Sequence, residues 1–157
     1  MKYNNSKVQL DNHVFDSKME ARYYRVLMDL ILAGVVERFE MQVPFLLQEA
    51  FKKNGKHYRA INYIADFLVV YADGRIEVVD VKGQKTETFK LKHKLFEYKY
   101  PHFNLKLLTD KHKYYDFIDL DEYLKAKKEK AKLKGVTRVA TGRRRTSNSR
   151  TKYRISD

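Results

Sequence analysis

The sequence predicts an α/β domain built on a mixed central sheet. Three observations carry that expectation. Apolar residues recur at spacings of three and four in two separate stretches, around Met19 to Ile31 and Phe89 to Tyr98, as they do on one face of a helix. Runs rich in Val, Ile and Phe occupy Val35 to Leu47, Asn62 to Tyr71 and Arg75 to Lys82, between the two helical stretches. A shorter apolar run, Phe103 to Leu108, follows the second helix and reads as a short buried strand. The order helix, three strands, helix, strand, helix fits helices packed on a sheet of mixed direction. With 157 residues, 43% of them hydrophobic, there is material for one ordinary domain with a core.

The first helix opens at Asp16-Ser17-Lys18-Met19-Glu20. Met19, Tyr23, Val26, Leu27, Leu30 and Ile31 form its apolar stripe, and Gly34 stops it. Val35 to Leu47 reads as extended, with Pro44 marking an edge or a bulge. Ala50 to Arg59 is polar and contains Asn54-Gly55, which predicts a turn. Two strands follow, joined around Ala72-Asp73-Gly74. Thr86 or Thr88 caps a helix that runs to about Tyr100 and ends at Pro101. After the strand from Phe103 to Leu108, a third helix covers Asp119 to Leu133. From Gly135 onward there are too few apolar residues to fold. The expected division is therefore a domain over residues 1–134 and a disordered basic tail over 135–157.

Charge is distributed unevenly. From Lys125 to Asp157 there are thirteen basic residues and two acidic ones, so +11 of the total +13 belongs to this end. A basic appendage on a nearly neutral domain points to a polyanionic partner, and the absence of an apolar face favours nucleic acid over a membrane. Within the tail, Arg143, Arg144 and Arg145 are the densest cluster and are candidates for phosphate contact. There is no cysteine, which excludes disulfides, thiolate metal sites and cysteine nucleophiles. The five histidines have no metal-binding spacing, and no Gly-x-x-x-x-Gly-Lys loop is present. No stretch approaches the ~18 apolar residues of a membrane span, and Met1 to Asn12 lacks a signal peptide's apolar run, so a cytoplasmic protein is expected.

The central hairpin carries charges that a plain strand does not need: Asp66 on its first strand, Asp80 and Lys82 on its second. Asp80 and Lys82 share a face, about 7 Å apart along the strand. The position of Asp66 depends on the turn. A two-residue Asp73-Gly74 loop sets it opposite Val81. A three-residue Ala72-Asp73-Gly74 loop, with Gly74 left-handed, sets it opposite Asp80. The second register leaves Leu68, Val70, Ile76 and Val78 beside the carboxylates, whereas the first mixes Glu77 into that face, so hydrophobic patterning favours the second. Carboxylates facing each other across a ladder repel unless a cation lies between them. Oxygen ligands of this kind suit Mg²⁺ or Mn²⁺. A metal with Lys82 beside a phosphodiester makes a hydrolytic site; a structural ion-pair cluster accounts for the same three residues without one.

These residues, in this order, resemble the PD-(D/E)XK nuclease superfamily and, within it, small phage-encoded endonucleases of the Holliday-junction-resolvase kind. The resemblance spans roughly Phe15 to Leu108. It comprises the helix with Ser17-Lys18-Met19-Glu20-Ala21-Arg22, the extended Phe39-Glu40-Met41-Gln42-Val43-Pro44-Phe45, the Asp66 strand, and Asp80-Val81-Lys82-Gly83. Two positions depart from the family pattern: Ala65 stands before Asp66 where proline is usual, and the second acid is aspartate.

The resemblance implies a restriction-endonuclease-like fold and a DNA endonuclease dependent on Mg²⁺ or Mn²⁺. Asp66, Asp80 and Lys82 would be the motif residues, and Glu20 the acid supplied by the first helix. Asp66, Asp80, Val81 and Glu20 would be the metal ligands. Ser17-x-x-Glu20 is also a capping box, which explains the glutamate without a metal. Gln42, Gln84 and Lys92 are further candidates for contact with DNA. Branched DNA is the expected substrate, a homodimer would suit symmetric cutting of two strands, and a phage-encoded protein would work in the host cytoplasm. The rival is a non-catalytic nucleic-acid-binding protein of the same fold.

Overall fold

Ser17 opens the first helix by accepting the amide of Glu20 on its hydroxyl, which satisfies one of the four donors that a helix start leaves free. In this computed structural model the backbone is described at residues 7–111 and 116–141, and side chains as far as residue 132. Arg143, Arg144 and Arg145, and the rest of the expected tail beyond Thr141, lie outside the described residues. The chain divides into two compact units, Met1–Tyr123 and Leu124–Asp157.

The first unit begins with a small hairpin, β1 (Val8–Leu10) and β2 (His13–Phe15), then α1 (Lys18–Leu32). Two long strands follow, β3 (Val36–Gln48) and β6 (Ile61–Tyr71), with a second small hairpin, β4 (Phe51–Lys53) and β5 (Lys56–Tyr58), inserted between them. Next come β7 (Ile76–Val81), α2 (Glu87–Lys99), β8 (Asn104–Asp110), β9 (Phe117–Asp119) and α3 (Leu120–Thr141). The central sheet has five strands in the order β3-β6-β7-β8-β9. Among the described strands only β7 and β8 run parallel, and α2 is the crossover that a parallel pair requires. The described residues form a mixed α/β arrangement with a mixed sheet and three helices. Among the described residues no helix is long and apolar enough to cross a membrane.

The main core forms where α1 lays Tyr23, Tyr24 and Leu27 on Phe67, Val69, Val79 and Val81. Leu27, Val69 and Val79 are fully buried, each stabilising the fold by about 1.5–3 kcal/mol relative to exposure. A second aromatic cluster joins α2 to the far part of β3: Phe96 packs on Phe45, Tyr63 and Tyr100.

Three features correct the sequence reading. Ala50 to Arg59 is a full two-stranded hairpin, in which Asn54 and Gly55 both take the positive φ that a two-residue primed turn requires. On the face read as apolar beside the carboxylates, Val70 and Val78 are buried but Ile76 is exposed. The principal core lies on the opposite face and includes Glu77, buried because Tyr71 donates its hydroxyl to it and Lys106 its ammonium. Finally, α3 runs through Gly135 to Thr141, since one glycine costs a helix only ~1 kcal/mol and no proline follows to stop it.

Candidate active site

The site is built by the hairpin of β6 and β7. Tyr71 accepts the amide of Gly74 and gives its own to Arg75, which closes a three-residue loop over Ala72, Asp73 and Gly74. Gly74 sits at φ 85°, where a side chain would be strained. The ladder then pairs Val70 with Ile76, Leu68 with Val78 and Phe67 with Val79. Continued by one step, this register sets Asp66 opposite Asp80. The ladder stops short of that step, and the amide of Val81 is taken by Asp66 Oδ2 at 2.7 Å.

Asp80 is 2% exposed. Its Oδ1 accepts the hydroxyl of Tyr63 at 2.8 Å. Its Oδ2 lies 2.6 Å from the Lys82 ammonium, but nothing among the described residues meets it in hydrogen-bonding geometry. Lys82 reaches this point across the ring of Phe89, 4.3 Å from its centroid, so the first turn of α2 steers the lysine. Thr86 caps that turn by accepting the amide of Phe89.

A twist in the strands delivers Tyr63. By alternation Tyr63 belongs on the face of Phe67, which packs on Tyr23 of α1; its ring instead lies against Phe89 and Phe96 of α2. On β3, Phe39 packs on Tyr24 of α1 while Phe45 packs on Phe96. Both strands therefore change the helix they serve between these positions. Gln42 lies in the middle of the change, with φ 53°, and the β3–β6 ladder lapses between Gln42 and Asp66. An exposed non-glycine residue held at positive φ within a strand is the kind of local strain that accompanies functional sites. The Gln42 amide is 3.5 Å from Asp66 Oδ1. Beside them a cleft of about 250 Å³ is lined by His13, Val14, Phe15, Met41, Gln42, Asp66 and Phe67.

Glu20 is buried and completes the capping box: it accepts the Ser17 hydroxyl at 2.7 Å and the Asp16 amide at 3.3 Å. Burial raises its pKa above the usual carboxyl range against those two bonds, with added repulsion from Asp16 and Asp80. Asp66 is pushed up to about 7, first by burial and then by the charge of Asp80; the Val81 amide and Lys82 pull it back, and Glu20 adds to the rise. Burial, and then Asp80, also raise the Tyr63 phenol. Three acids and one lysine thus share one electrostatic field.

A cation fits this field. The donors are hard oxygens, the acids repel one another, and the buried Oδ2 of Asp80 faces the Lys82 ammonium but takes no hydrogen bond among the described residues. Among the described residues no three acid or imidazole side chains are already gathered as a metal cage.

The remaining candidates are scattered. Gln84 is exposed between β7 and α2. The Lys92 ammonium is bonded to the carbonyl of Asn62 at 2.8 Å, which ties α2 to β6. Sequence reasoning missed Tyr63 and Phe89. Strand parity turned Tyr63 away from Asp80, and Phe89 looked like an ordinary core residue; an aromatic in the turn after a motif lysine was the available signal.

Fold and site together define a mixed α/β protein with an acid–lysine cluster where its central hairpin parts. The chain belongs to DUF1064, a family described as proteins of unknown function, whose profile matches residues 1–116. Comparison with curated proteins and with solved structures finds no match.

Proposed function

We propose that this protein is a metal-dependent DNA endonuclease with a restriction-endonuclease-like domain of the PD-(D/E)XK type. The observation that carries the reading is the meeting of Asp66, Asp80 and Lys82 at one strand end, with Glu20 in the same field and Asp80 Oδ2 buried without a hydrogen bond. Asp66, Asp80 and the carbonyl of Val81 would hold Mg²⁺ or Mn²⁺, with Glu20 behind them. A divalent ion bound there supplies Lewis-acid polarisation of the phosphate and acidified water.

The chain's own residues do the rest. The Tyr63 hydroxyl fixes the rotamer of Asp80, and the Val81 amide fixes Asp66. Lys82, steered by Phe89, brings a positive charge to where negative charge grows on the phosphate. Water gives up a proton to solvent as it forms the new P–O bond, the P–O3′ bond breaks, the departing 3′ oxygen takes up a proton from solvent, and the products carry a 5′-phosphate and a 3′-hydroxyl. Branched DNA is the proposed substrate class, by the resemblance stated above. The test is cleavage of linear, flapped and four-way-junction DNA over a Mg²⁺ and Mn²⁺ titration, beside an Asp80→Ala control. Absence of metal-dependent cutting on every substrate rejects the reading.

A second reading has its own support. The Asp80–Lys82 pair already neutralises one acid, and Glu20 is already used by the helix cap. On that reading the cluster is structural and the protein binds nucleic acid without cutting it. Binding that is unaffected by metal, with no cleavage, would favour it.

A further inference from the structure

The hairpin of β4 and β5 has no evident part in building the fold. Every residue from Phe51 to Ala60 is exposed. An isolated two-stranded hairpin is marginally stable at best. This one is held by its Asn54-Gly55 turn and by the stacking of Phe51 on Tyr58, rings 4.6 Å apart and 4° from parallel. Between Phe51 and Arg59 there are four cations, Lys52, Lys53, Lys56 and Arg59, and no acid.

The register sharpens the point. Lys53 lies directly across from Lys56, and Lys52 across from His57. Like charges opposite one another on a ladder destabilise it, and here no neighbouring carboxylate on the hairpin offsets them. Lys56 leans over the Tyr58 ring at 5.3 Å, which relieves part of the repulsion within the hairpin. A polyanion relieves it far better.

We infer that the β4–β5 hairpin is a second nucleic-acid contact, a basic ribbon that grips the phosphate backbone of duplex DNA at a distance from the Asp66–Asp80 cluster. Its chemistry favours a duplex backbone over unpaired bases. The facing sides of Phe51 and Tyr58 are stacked on each other and closed to a base, whereas Lys52, Lys53 and Lys56 are all exposed. The hairpin springs from the same two strands that carry Gln42 and Asp66. Six residue steps lead from Gln42 to Gln48 at the end of β3, a reach of about 20 Å, or roughly six nucleotide steps at 3.4 Å each. That span lies within the length of one duplex site. As a remote grip for a nuclease this inference rests on the function proposed above; as a DNA contact it stands without it.

The experiment uses the full chain without divalent metal and measures its affinity for a 24-base-pair duplex and for the matching single strand over a range of salt. The comparison is between wild type, a Lys52→Ala/Lys53→Ala/Lys56→Ala variant and the corresponding triple arginine variant, with thermal melting as the check on folding. Three lost phosphate contacts flatten the duplex slope of log K against log salt by about 2 to 3, and the arginine variant restores it. An alanine variant with the wild-type slope overturns the inference, as does a loss confined to the single strand. A flattened slope in a protein whose wild type cuts no DNA with any metal upholds the hairpin and rejects only the nuclease.

Discussion

Replacing Asp66 by asparagine should stabilise the metal-free protein at neutral and alkaline pH. The Asp66 carboxyl is held at about 7 against an ordinary 3.8, by burial and then by Asp80. An acid raised in this way gives stability that is fully present below its unfolded pKa. That stability is lost between about pH 4 and 7, because there the folded state binds the extra proton, and it stays lost above. The full displacement corresponds to roughly 4 kcal/mol of unfavourable free energy once Asp66 is ionised. Asparagine keeps an oxygen to accept the Val81 amide but needs an acceptor for its own NH₂, which costs part of the gain. The expected net gain at pH 8 is about 1–3 kcal/mol, or about 2–12 °C in melting temperature for a chain of this size. The assay is thermal or urea unfolding from pH 5 to 8 in EDTA. Wild type should lose stability as pH rises toward 7, and the variant should be flatter. With Mg²⁺ at ten times its dissociation constant, wild type should gain about 1.4 kcal/mol and the variant much less. If the variant is less stable than wild type at pH 8 without metal, the electrostatic account of the site is wrong.

Three further outcomes follow from the same geometry. Lys82→Met, which keeps the stem over Phe89 and removes the charge, should abolish cleavage while leaving DNA binding within a few-fold; unchanged turnover would move the chemistry elsewhere. Ser17→Ala should cost about 1 kcal/mol in denaturant unfolding, since it removes both the cap on the Glu20 amide and the hydroxyl bonded to the Glu20 carboxylate. Gln42→Gly should leave stability within about 1 kcal/mol of wild type, while Gln42→Val should cost at least that much more, because a β-branched side chain tolerates φ 53° poorly; equal melting temperatures for the two would count against strain at this position.

Much of this fold was legible because local chemistry and long-range pattern agree. Ser17 is a cap in the sequence and in the structure, Thr86 is the one of the two candidate threonines that caps α2, and α1 and α2 run close to where their periodicities set them. The hairpin was legible for a stronger reason. Gly74 admits a three-residue loop, and that loop fixes the pairing of every residue before and after it, so Asp66 and Asp80 are matched by counting. The pattern behind the choice of that loop set Leu68, Val70, Ile76 and Val78 beside the carboxylates and kept Glu77 off that face; the structure exposes Ile76 and has the principal core, Phe67, Val69, Val79 and Val81, on the other side. Glu77, treated as a residue to be kept away from apolar neighbours, is buried with its own tyrosine and lysine.

What could not be read was whatever departs from strict alternation. Counting by twos sends Tyr63 to the face of Phe67, yet its hydroxyl meets Asp80 because the strands turn over near Gln42. No composition or spacing announces a glutamine at positive φ; the residue is conformationally ordinary until its neighbours hold it there. The same holds for the hairpin of β4 and β5. Asn54-Gly55 announces a turn, but a hairpin is usually inferred from apolar alternation on both sides, and here the flanks are lysines. Its strands exist because Phe51 and Tyr58 happen to stand across from each other and stack. The two places where pattern reading fails are thus the acid cluster and the basic ribbon. Both carry local costs, repelling acids in one and facing lysines in the other, that a metal ion and a phosphate backbone would each relieve.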